Sequence, residues 1–368
     1  MTDRRRKVQI NARFLGEPLT GVQRFGREIL REWEEMLEEG EIEPARYRFE
    51  LLLPRMPEEP LPYRHLEPRA RGPFGSHVWE QLVLPRMARG FLVNLKNTAP
   101  IGHPDMAVVI HDLQVYVTPQ TYSRAFVRLY RFLLPRAAHK AKVVLVPSES
   151  TAREVERWLE LPAAHCVVTS EGHEHILREP ADPSILERHG LGPGSYLLAV
   201  SSLNPNKNFA SILLALEKAG LDEVPLVIAG GTNPRVFEDS DLARLPPGAL
   251  HVGRVGDGEL RALYENAMGF LFPSFHEGFG LPPLEAMALG CPVILSRTSS
   301  LPEVGGDAAL YCDPADVSDL ARQITRLVHD PALRRELSAK GRLRAQGFRW
   351  RDAARRIWTA IEPHIPEA

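Results

Sequence analysis

The chain has 368 residues, and its 45 lysines and arginines against 47 aspartates and glutamates give a formal charge of -2. This balance argues against a nucleic-acid partner, because proteins that bind nucleic acids usually present an excess of cations to phosphate. Hydrophobic residues make up 44% and charged residues 25%, which excludes a disordered or collagen-like chain. Since a domain usually spans about 100 to 200 residues, the length predicts two domains.

The cysteines and the first residues indicate where the protein works. The three cysteines, Cys166, Cys291 and Cys312, are far apart, which indicates a reducing compartment and no disulfide framework or cysteine-based metal site. The charged N-terminus is not followed by an apolar stretch of signal-peptide length, and no run approaches the roughly 18 apolar residues of a membrane span. We therefore expect a cytoplasmic protein that is at most peripheral to the membrane.

In the first half, short apolar runs alternate with longer amphipathic stretches, a pattern typical of parallel strands joined by helices. The segments predicted as strands are 8–10, 49–53, 107–110, 143–146 and 166–169. Helices are predicted over 22–38 and about 120–141. The segment 55–75 is rich in proline, glutamate and arginine and lacks apolar periodicity, so we predict a surface excursion there.

The second half repeats the pattern after a predicted linker at 179–194. Its predicted strands are 196–200, 226–229, 250–252, 269–272, 293–295 and 309–311, and its predicted helices are 209–218, 257–266, 283–289 and 317–329. The sequence therefore predicts an α/β fold of two facing Rossmann-like domains, residues 1–190 and 191–347. Ligands of such sheets bind outside the carboxyl ends of the strands, which predicts a site in an interdomain cleft.

A glycine-rich turn between two predicted strands, within residues 276–290, gives the strongest functional signal. Gly278 and Gly280 allow close approach to a ligand and a positive φ, and the two prolines after Leu281 favour the first turn of a helix. The amides of Phe279, Gly280 and Leu281 are then expected to point out of the helix N-terminus, where phosphate binds well. This predicts a diphosphate site.

Two glutamates bracket this turn with seven residues between them. A carboxylate at Glu285, expected in the first turn of the helix, suits the two vicinal hydroxyls of a ribose. Glu277 would face the reacting end of the ligand.

Residues 277–288 resemble the signature Glu-Gly-Phe-Gly-Leu-Pro-Pro-Leu-Glu-Ala-Met-Ala of the retaining glycosyltransferases of family 4, which have the GT-B fold. The resemblance implies that Glu285 binds the nucleotide ribose and that Glu277 contacts the donor sugar in the catalytic region. It also implies that residues 348–368 form a C-terminal helix that crosses back to pack on the N-terminal, acceptor-binding domain.

A second match begins at Ser201 and resembles the Gly-Thr-Leu-Glu-Pro-Arg-Lys-Asn loop of the same family. Lys207 at the end of a strand can neutralise a departing diphosphate, which is electrostatic transition-state stabilisation. Ser202 and Asn206 are predicted to line the donor site. Asn206 stands where the family has arginine, so one cation is missing, and Arg254 or Arg235, which lies outside the residues that the structure describes, is a candidate to replace it.

The first half supplies the remaining site candidates. His111 and Asp112 at a strand end resemble a His-Asp pair of the family, with His111 donating to a sugar hydroxyl or shielding charge at the anomeric carbon and Asp112 on the acceptor side. Gly21 belongs to a segment like the family's N-terminal glycine loop, but Gln23 replaces its second glycine and its role is left open. Arg254 and Val255, after a predicted strand, are candidates for the base pocket.

Two further patterns carry less weight. Asp239 and Asp241 have the spacing of a metal-binding Asp-X-Asp motif, but we interpret them as a solvated turn and expect neither a metal nor another cofactor. The helix predicted within 123–142 carries six cations beside apolar residues. Such a helix suits an anionic membrane surface such as the inner leaflet, and a solvated helix face explains the pattern as well.

The residues and the resemblance together predict a retaining, metal-independent transfer of a sugar from a nucleotide diphosphate donor to a hydroxyl of a glycan or lipid-linked glycan. The N-terminal segment and Trp79-Glu80-Gln81 look like members that build bacterial surface polysaccharide, which favours mannose or rhamnose on a GDP or dTDP donor. Alternatives are a catalytically silent scaffold that binds sugar nucleotides, or another GT-B enzyme such as an epimerase or an inverting transferase. A nicotinamide oxidoreductase is disfavoured because no Gly-X-Gly-X-X-Gly follows a strand.

Overall fold

Two units, each built on its own parallel sheet, make up the chain. The computed structural model describes residues 4–72, 75–201, 204–231 and 249–367. The first unit comprises Met1–Glu171 together with Trp350–Ala368, and the second comprises Gly172–Arg349. The second unit is thus inserted between two parts of the first.

Seven strands form the sheet of the first unit, in the order β3-β2-β1-β4-β5-β6-β7, and all neighbouring strands are parallel. They are β1 (Arg6–Asn11), β2 (Tyr47–Leu53), β3 (Leu66–Ala70), β4 (Phe91–Asn94), β5 (Met106–Val109), β6 (Val143–Val146) and β7 (Cys166–Val168). The helices of this unit are α1 (Gly21–Glu38), α2 (Ser76–Leu82), α3 (Leu84–Met87), α4 (Gln114–Val117), α5 (Arg124–Lys140) and α6 (Glu149–Leu159), and α15 (Trp350–Ile361) returns to it at the end.

The second unit repeats the architecture with six parallel strands in the order β10-β9-β8-β11-β12-β13. They are β8 (Leu197–Val200), β9 (Leu226–Ala229), β10 (Ala249–Gly253), β11 (Gly269–Phe272), β12 (Val293–Ser296) and β13 (Ala309–Cys312). Its described helices are α7 (His175–Arg178), α8 (Ser184–His189), α9 (Phe209–Ala219), α10 (Asp257–Asn266), α11 (Leu281–Ala288), α12 (Leu301–Gly305), α13 (Val317–His329) and α14 (Pro331–Ala345).

Each sheet reverses its strand order once, between β1 and β4 in the first unit and between β8 and β11 in the second. On either side of that point the chain continues in opposite directions, so a crevice opens beyond the carboxyl ends of the two strands. The residues that follow β8 and β11, and those that follow β1 and β4, therefore lie where a ligand of this fold binds.

The fold class and the predicted strands are confirmed, with ends that shift by only a few residues. The alternation of apolar runs and amphipathic stretches was sufficient because five of these strands, β5, β6, β9, β11 and β12, are buried along their whole length. The predicted helices, including 257–266 and 317–329, are also present.

The interpretation of 55–75 as a surface excursion is wrong for Leu66–Ala70, which forms β3 at the edge of the first sheet. An edge strand has only one neighbouring strand. The last three residues of β3 are exposed, so the sequence shows no apolar run there. The buried strand β4 was not predicted either. Helices α6 and α14 were also not predicted.

The predicted domain boundary at residue 190 lies inside the second unit, which begins at Gly172. Much of the predicted linker is ordered structure: α8 lies within it, and the backbone N–H of Asp182 donates to the carbonyl of Gly258 at 2.9 Å. The chain changes units at Gly172 and again at Trp350. Just inside the second unit, the segment after Gly172 contacts the segment before Trp350: the His173 ring contacts the carbonyl of Phe348 (Nδ1 to O, 2.8 Å).

The C-terminal helix α15 packs against α1 in the first unit, as the sequence predicts for 348–368. Trp350 is fully buried and its ring meets that of Phe25 edge to face at 5.9 Å. The indole of Trp33 on α1 donates to the carbonyl of Ala354 on α15 at 3.2 Å. The last residues of the chain therefore complete the core of its first unit.

We expect Trp350→Ala to lower the free energy of unfolding of the first unit by about 3 to 5 kcal/mol, because it leaves a large cavity beside Phe25. Intrinsic tryptophan fluorescence during urea unfolding measures this directly, since all five tryptophans of the sequence fall in the first unit. The matched control is Thr359→Ala on the exposed side of the same helix. An equal stability of both variants would contradict the packing role of α15.

Candidate functional site

The two principal catalytic candidates meet at the strand reversal of the second sheet. Lys207 follows β8 at the end of a short 3-10 turn, and Glu277 follows β11. The Lys207 Nζ lies 2.7 Å from the Glu277 Oε1, and both side chains are largely buried. The ammonium also lies 5.2 Å from the ring centroid of Phe272, the last residue of β11. The two residues are 70 positions apart in the sequence and form one ion pair.

Hydrogen bonds of Asn206 join the loop that follows β8 to the loop that follows β11. Its side-chain N–H donates to the carbonyl of His276 at 2.7 Å, and its own carbonyl accepts from the Phe275 N–H at 2.9 Å. Asn206 is only 2% exposed, so it acts as a tie between the loops and does not replace the charge of the arginine found there in the family. The neighbouring Asn208 has a φ of 60°, and its side chain donates to Pro273 and Pro314.

The glycine-rich turn is fixed from below by two serines after β12. The Glu277 N–H donates to Ser299 Oγ at 2.9 Å, and the Ser300 hydroxyl contacts the carbonyls of Glu277 and Phe279 at 3.0 and 2.6 Å. These bonds fix the backbone of the turn while the Glu277 side chain contacts Lys207.

Only one of the two predicted glycines needs a positive φ. Gly280 has a φ of 118°, and a Cβ on it would lie 2.8 Å from Leu301, so both strain and space require glycine. Gly278 is not among the residues with positive φ. The predicted need for positive φ is therefore confirmed for Gly280 and wrong for Gly278.

Helix α11 begins at Leu281, directly after this turn. Its second and third residues, Pro282 and Pro283, have no N–H, and the Leu284 N–H already donates to the carbonyl of Gly280. Within the described part of the chain, no acceptor pairs with the amides of Phe279, Gly280 or Leu281. This end of the helix thus offers a few adjacent amides to an anion, as the sequence predicts.

Glu285 lies one turn further along α11 than expected, because the helix starts at Leu281 and has no acidic residue in its first turn. Its carboxylate is buried and has two partners: His175 Nε2 lies 2.7 Å from Oε1, and the Tyr264 hydroxyl lies 3.1 Å from Oε2. Burial and the nearby carboxylate raise the pKa of Tyr264 well above its ordinary value. The phenol therefore stays protonated and donates to Glu285.

His175 and Tyr264 are site residues that the sequence interpretation missed. They lie 110 and 21 positions from Glu285, on α7 and α10. A histidine after a strand and a tyrosine within an amphipathic helix have no spacing that relates them to a glutamate elsewhere. Only the packing of α7 and α10 against α11 brings the three side chains together.

The candidates for the base pocket lie at the ends of β9 and β10. Gly230 and Gly253 are hydrogen-bonded to each other (N to O, 2.8 Å) and both have positive φ. Arg254 is exposed and packs across Gly231, where a Cβ would lie 2.9 Å from its Nε. Val255 follows as a half-buried residue. Ser202, Asp239 and Asp241 lie outside the described residues.

His111 lies in the first unit, two residues after β5, and its ring is buried. The Nε2 atom lies 3.0 Å from the carbonyl of Leu95, so Nε2 carries the hydrogen and Nδ1 is left as an acceptor. Burial lowers the pKa of His111, and the hydrogen bond to Leu95 offsets only part of that effect. The sequence predicts that His111 donates to a sugar hydroxyl or shields charge at the anomeric carbon. In this tautomer its Nδ1 would accept a hydrogen bond from a hydroxyl.

The other candidates of the first unit have simple local roles. Asp112 accepts from the backbone N–H of Gln114 at 3.0 Å and so begins the short helix α4. Gly21 is the first residue of α1; it has no positive φ, and a Cβ on it would meet nothing within 4 Å. The space beside Gly21 is therefore open.

In the described ranges, the one group of three side chains able to share an ion is Glu34, Glu38 and His65, on α1 and just before β3, with ligand atoms within 4.8 Å of one another. The Glu34 carboxylate there accepts from the backbone N–H groups of Arg64 and His65. None of the described helices is both long and apolar enough to cross a bilayer.

Comparison with known proteins agrees with this geometry. Residues 185–344 match the family model of the glycosyl transferases group 1. O-antigen chain mannosyltransferase B of Escherichia coli is 33% identical over 252 residues, which are 65% of this chain and 65% of that protein, so the match spans just under two thirds of the relative.

Solved structures of low identity share the whole fold. Sucrose-phosphate synthase from Thermosynechococcus elongatus superimposes with a TM-score of 0.74 at 18% identity, over 98% of this chain and 99% of its own. WaaG, described as a glycosyltransferase involved in lipopolysaccharide biosynthesis, gives a TM-score of 0.72 at 14% identity, over 95% and 98% of the two chains. Residues 185–344 therefore form a domain that matches the glycosyl transferases group 1, and the chain as a whole has the GT-B fold.

Proposed function

We propose that this protein transfers a mannosyl residue from a nucleotide diphosphate donor to a hydroxyl of a surface polysaccharide precursor, with retention of anomeric configuration and without a metal. The observation that carries the proposal is the Lys207–Glu277 pair, 2.7 Å apart at the strand reversal, beside the amides that begin α11. Mannose is supported by the relative named O-antigen chain mannosyltransferase B. Rhamnose is the second candidate sugar.

The diphosphate of the donor would be held between Lys207 and the amides of the turn. An ammonium has three N–H donors, so it can contact Glu277 and a phosphate oxygen at the same time. Negative charge grows on the diphosphate as the glycosidic bond breaks, and fixed donors stabilise that charge more than they stabilise the bound substrate. Lys207 and the amides thereby favour the transition state, and Glu277 contacts the donor sugar.

The nucleoside end of the donor would be held by Glu285. Each carboxylate oxygen has one donor from the protein, His175 or Tyr264, and retains capacity for a further one. Two vicinal ribose hydroxyls match two such oxygens. His175 and Tyr264 compensate the carboxylate in its buried position, so that it is already oriented before the nucleotide binds.

The same residues support retention and metal independence. A lysine and a row of amides supply the positive potential that a divalent metal supplies elsewhere, so EDTA should leave transfer unchanged. Attack on the face from which the diphosphate departs, with the leaving phosphate as base, accounts for retention without a protein nucleophile. His111, with Nδ1 as an acceptor, would receive a hydrogen bond from a sugar hydroxyl.

An anionic membrane surface is the proposed location of the acceptor. Along α5, Leu129 and Phe132 are 39% and 48% exposed, although both are large and apolar. Arg136 stacks over Phe132 at 3.7 Å, and the other cations of the helix are also exposed: Arg124, Arg128, Arg131 and Lys140. Apolar side chains flanked by cations suit the headgroup region of an anionic bilayer.

A transfer assay with GDP-mannose, dTDP-rhamnose and the corresponding UDP- and ADP-sugars, with and without EDTA, tests the proposed reaction. We expect transfer from one nucleotide class, unaffected by EDTA, and an α-linked product from an α-linked donor.

Lys207→Ala should lower kcat on the order of 100 to 1000-fold, because it removes a transition-state donor. Lys218→Ala, an exposed lysine of the same unit, is the control. Donor binding without any turnover would instead favour a silent scaffold, and an inverted product an inverting enzyme.

Tyr264→Phe should weaken nucleoside diphosphate binding about fivefold, because it removes one hydrogen bond to Glu285 worth about 1 kcal/mol. Isothermal titration calorimetry with the diphosphate of the preferred donor measures the change. Tyr196→Phe is a matched control, since Tyr196 is buried in the same unit and donates to the carbonyl of Leu263 at 2.7 Å. Equal dissociation constants for the two variants would argue against Tyr264 as a support of the ribose site.

A double variant, Leu129→Ser with Phe132→Ser, should bind vesicles of phosphatidylglycerol and phosphatidylcholine at least about tenfold more weakly than the native protein, because two apolar contacts with the bilayer are lost. Sedimentation with the vesicles measures the partition. Leu214→Ser, at a side chain 52% exposed in the second unit, is the control. If the native protein does not sediment with anionic vesicles, α5 is an ordinary solvated helix.

A further inference from the structure

The residues Trp79-Glu80-Gln81 lie on the short helix α2, and the proposed reaction uses none of their side chains. Trp79 and Glu80 are fully buried, and Gln81 is half-buried. The indole of Trp79 donates to the carbonyl of Arg71 at 2.7 Å, which fixes α2 to the segment before it. Glu80 and Gln81 are bonded to other parts of the first unit, so the helix joins several segments that are distant in the sequence.

The β4 loop, residues 95–101, follows β4 and contains neither helix nor strand, yet most of it is buried. Leu95 and Ala99 are 0% exposed, and Thr98 is 1% exposed. The backbone groups of a buried loop need partners within the protein, because water does not reach them. Two elements supply such partners here: α2 bonds one end of the β4 loop, and His111 bonds the other.

Gln81 holds the far end of the β4 loop through both halves of its amide. Its side-chain N–H donates to the carbonyl of Ala99 at 2.9 Å, and its Oε1 accepts from the Ile101 N–H at 3.1 Å. The same amide nitrogen lies 3.4 Å from Glu80 Oε1. Since a glutamine amide donates from nitrogen and accepts at oxygen, these contacts are satisfied by one orientation of the side chain.

The Glu80 carboxylate fixes Gln81 to the rest of the first unit. Burial alone would raise the pKa of Glu80, but the hydrogen bond from His77 and the charge of Arg13 outweigh this effect, so the pKa lies below its ordinary value. The Arg13 guanidinium lies 3.5 Å from Oε2, and the Asn11 side chain donates to Oε2 at 3.2 Å. Glu80 is therefore ionised near neutral pH and bonded to the end of β1.

His111 is bonded to the near end of the β4 loop at two atoms. Its backbone N–H donates to Asn97 Oδ1 at 2.6 Å, and its Nε2 lies 3.0 Å from the carbonyl of Leu95. The ring of Phe25 meets the imidazole edge to face, with centroids 4.9 Å apart. A carbonyl oxygen can only accept, so the contact with Leu95 places the hydrogen of the neutral imidazole on Nε2.

The charged groups near His111 do not favour this tautomer. The nearest carboxylate, Glu171 Oε1, lies 4.0 Å from Nδ1 and would attract a hydrogen to that atom. Asp112 raises the pKa of His111, Lys96 lowers it, and burial, which also lowers it, is the largest effect. The ring is therefore neutral, and the position of the Leu95 carbonyl sets the tautomer against the pull of Glu171.

We propose that Glu80 and Gln81 are positioning residues for His111: they fix the β4 loop so that its near end holds the histidine in the Nε2–H form. The Nδ1 atom is then left to accept from a sugar hydroxyl. This last step rests on the proposed function, whereas the tautomer itself can be measured without turnover. If the far end of the loop is released, the Leu95 carbonyl shifts and the hydrogen moves toward Nδ1, on the side of Glu171.

Gln81→Met tests the proposal, because it keeps the length of the side chain and removes its bonds to Ala99 and Ile101. Long-range proton–nitrogen NMR of the full chain with labelled histidines, assigned with His111→Gln, should show the Nε2–H form in the native protein and a mixture of both tautomers in Gln81→Met. In the transfer assay kcat should fall about ten- to hundredfold, since His111 is misplaced. The dissociation constant of the nucleotide should stay native. The control is Gln120→Met, an exposed glutamine of the same unit.

Asn97 gives a second pair of variants, in case Gln81→Met disturbs folding. Asn97→Leu removes the acceptor of the His111 backbone N–H, whereas Asn97→Asp keeps an oxygen at the same place. We expect Asn97→Leu to lower kcat and to mix the two tautomers. Asn97→Asp should retain the Nε2–H signal and most of the native kcat.

Three results separate the outcomes. A native kcat, or an unchanged Nε2–H signal, in both Gln81→Met and Asn97→Leu would overturn the positioning role. A loss of kcat with an unchanged tautomer would indicate only a general structural effect, and it would overturn the role as well. Mixed tautomers in the variants of a protein that transfers sugar from none of the donors would reject the proposed function and support the positioning of His111.

Discussion

The architecture depends on one constraint, the single reversal of strand order in each parallel sheet. Where β8 and β11 lie side by side, the chain leaves them in opposite directions and no connection covers their carboxyl ends. Lys207 and Glu277 are the residues that the two strands present at this point, and they meet although 70 positions separate them. Hydrogen bonds of Asn206, Ser299 and Ser300 fix the loops that carry this ion pair at the carboxyl end of the sheet.

The same constraint acts in the first unit but with a different chemical result. There the residues after β1 and β4 form a nearly neutral wall, with each cation matched to a carboxylate. In the second unit, a lysine and unpaired amides give a positive site suited to an anion. Two sheets with the same kind of strand reversal thus present different electrostatic environments at their carboxyl ends, one positive and one nearly neutral.

The parts that could be predicted from the sequence are those whose signal is local. Buried strands such as β6 and β11 are continuous apolar runs, and the turn before α11 contains its glycines and prolines within a few residues. The support of Glu285 could not be predicted, because His175 and Tyr264 reach it only through the packing of α7 and α10. The edge strand β3 was not predicted because most of its residues are exposed, so the sequence there shows no apolar run.

The insertion of the second unit within the first has a consequence for synthesis on the ribosome. Gly172–Arg349 is a continuous segment, so the whole second unit can fold while the chain is still being extended. The first unit has its full sheet after β7, but the aromatic side chains of Trp33, Phe25 and Phe49 are packed against α15, which is translated only after the whole second unit. A product that terminates before residue 350 would therefore contain a complete second unit and a first unit with exposed aromatic side chains, and we expect it to be removed by proteolysis or lost to aggregation.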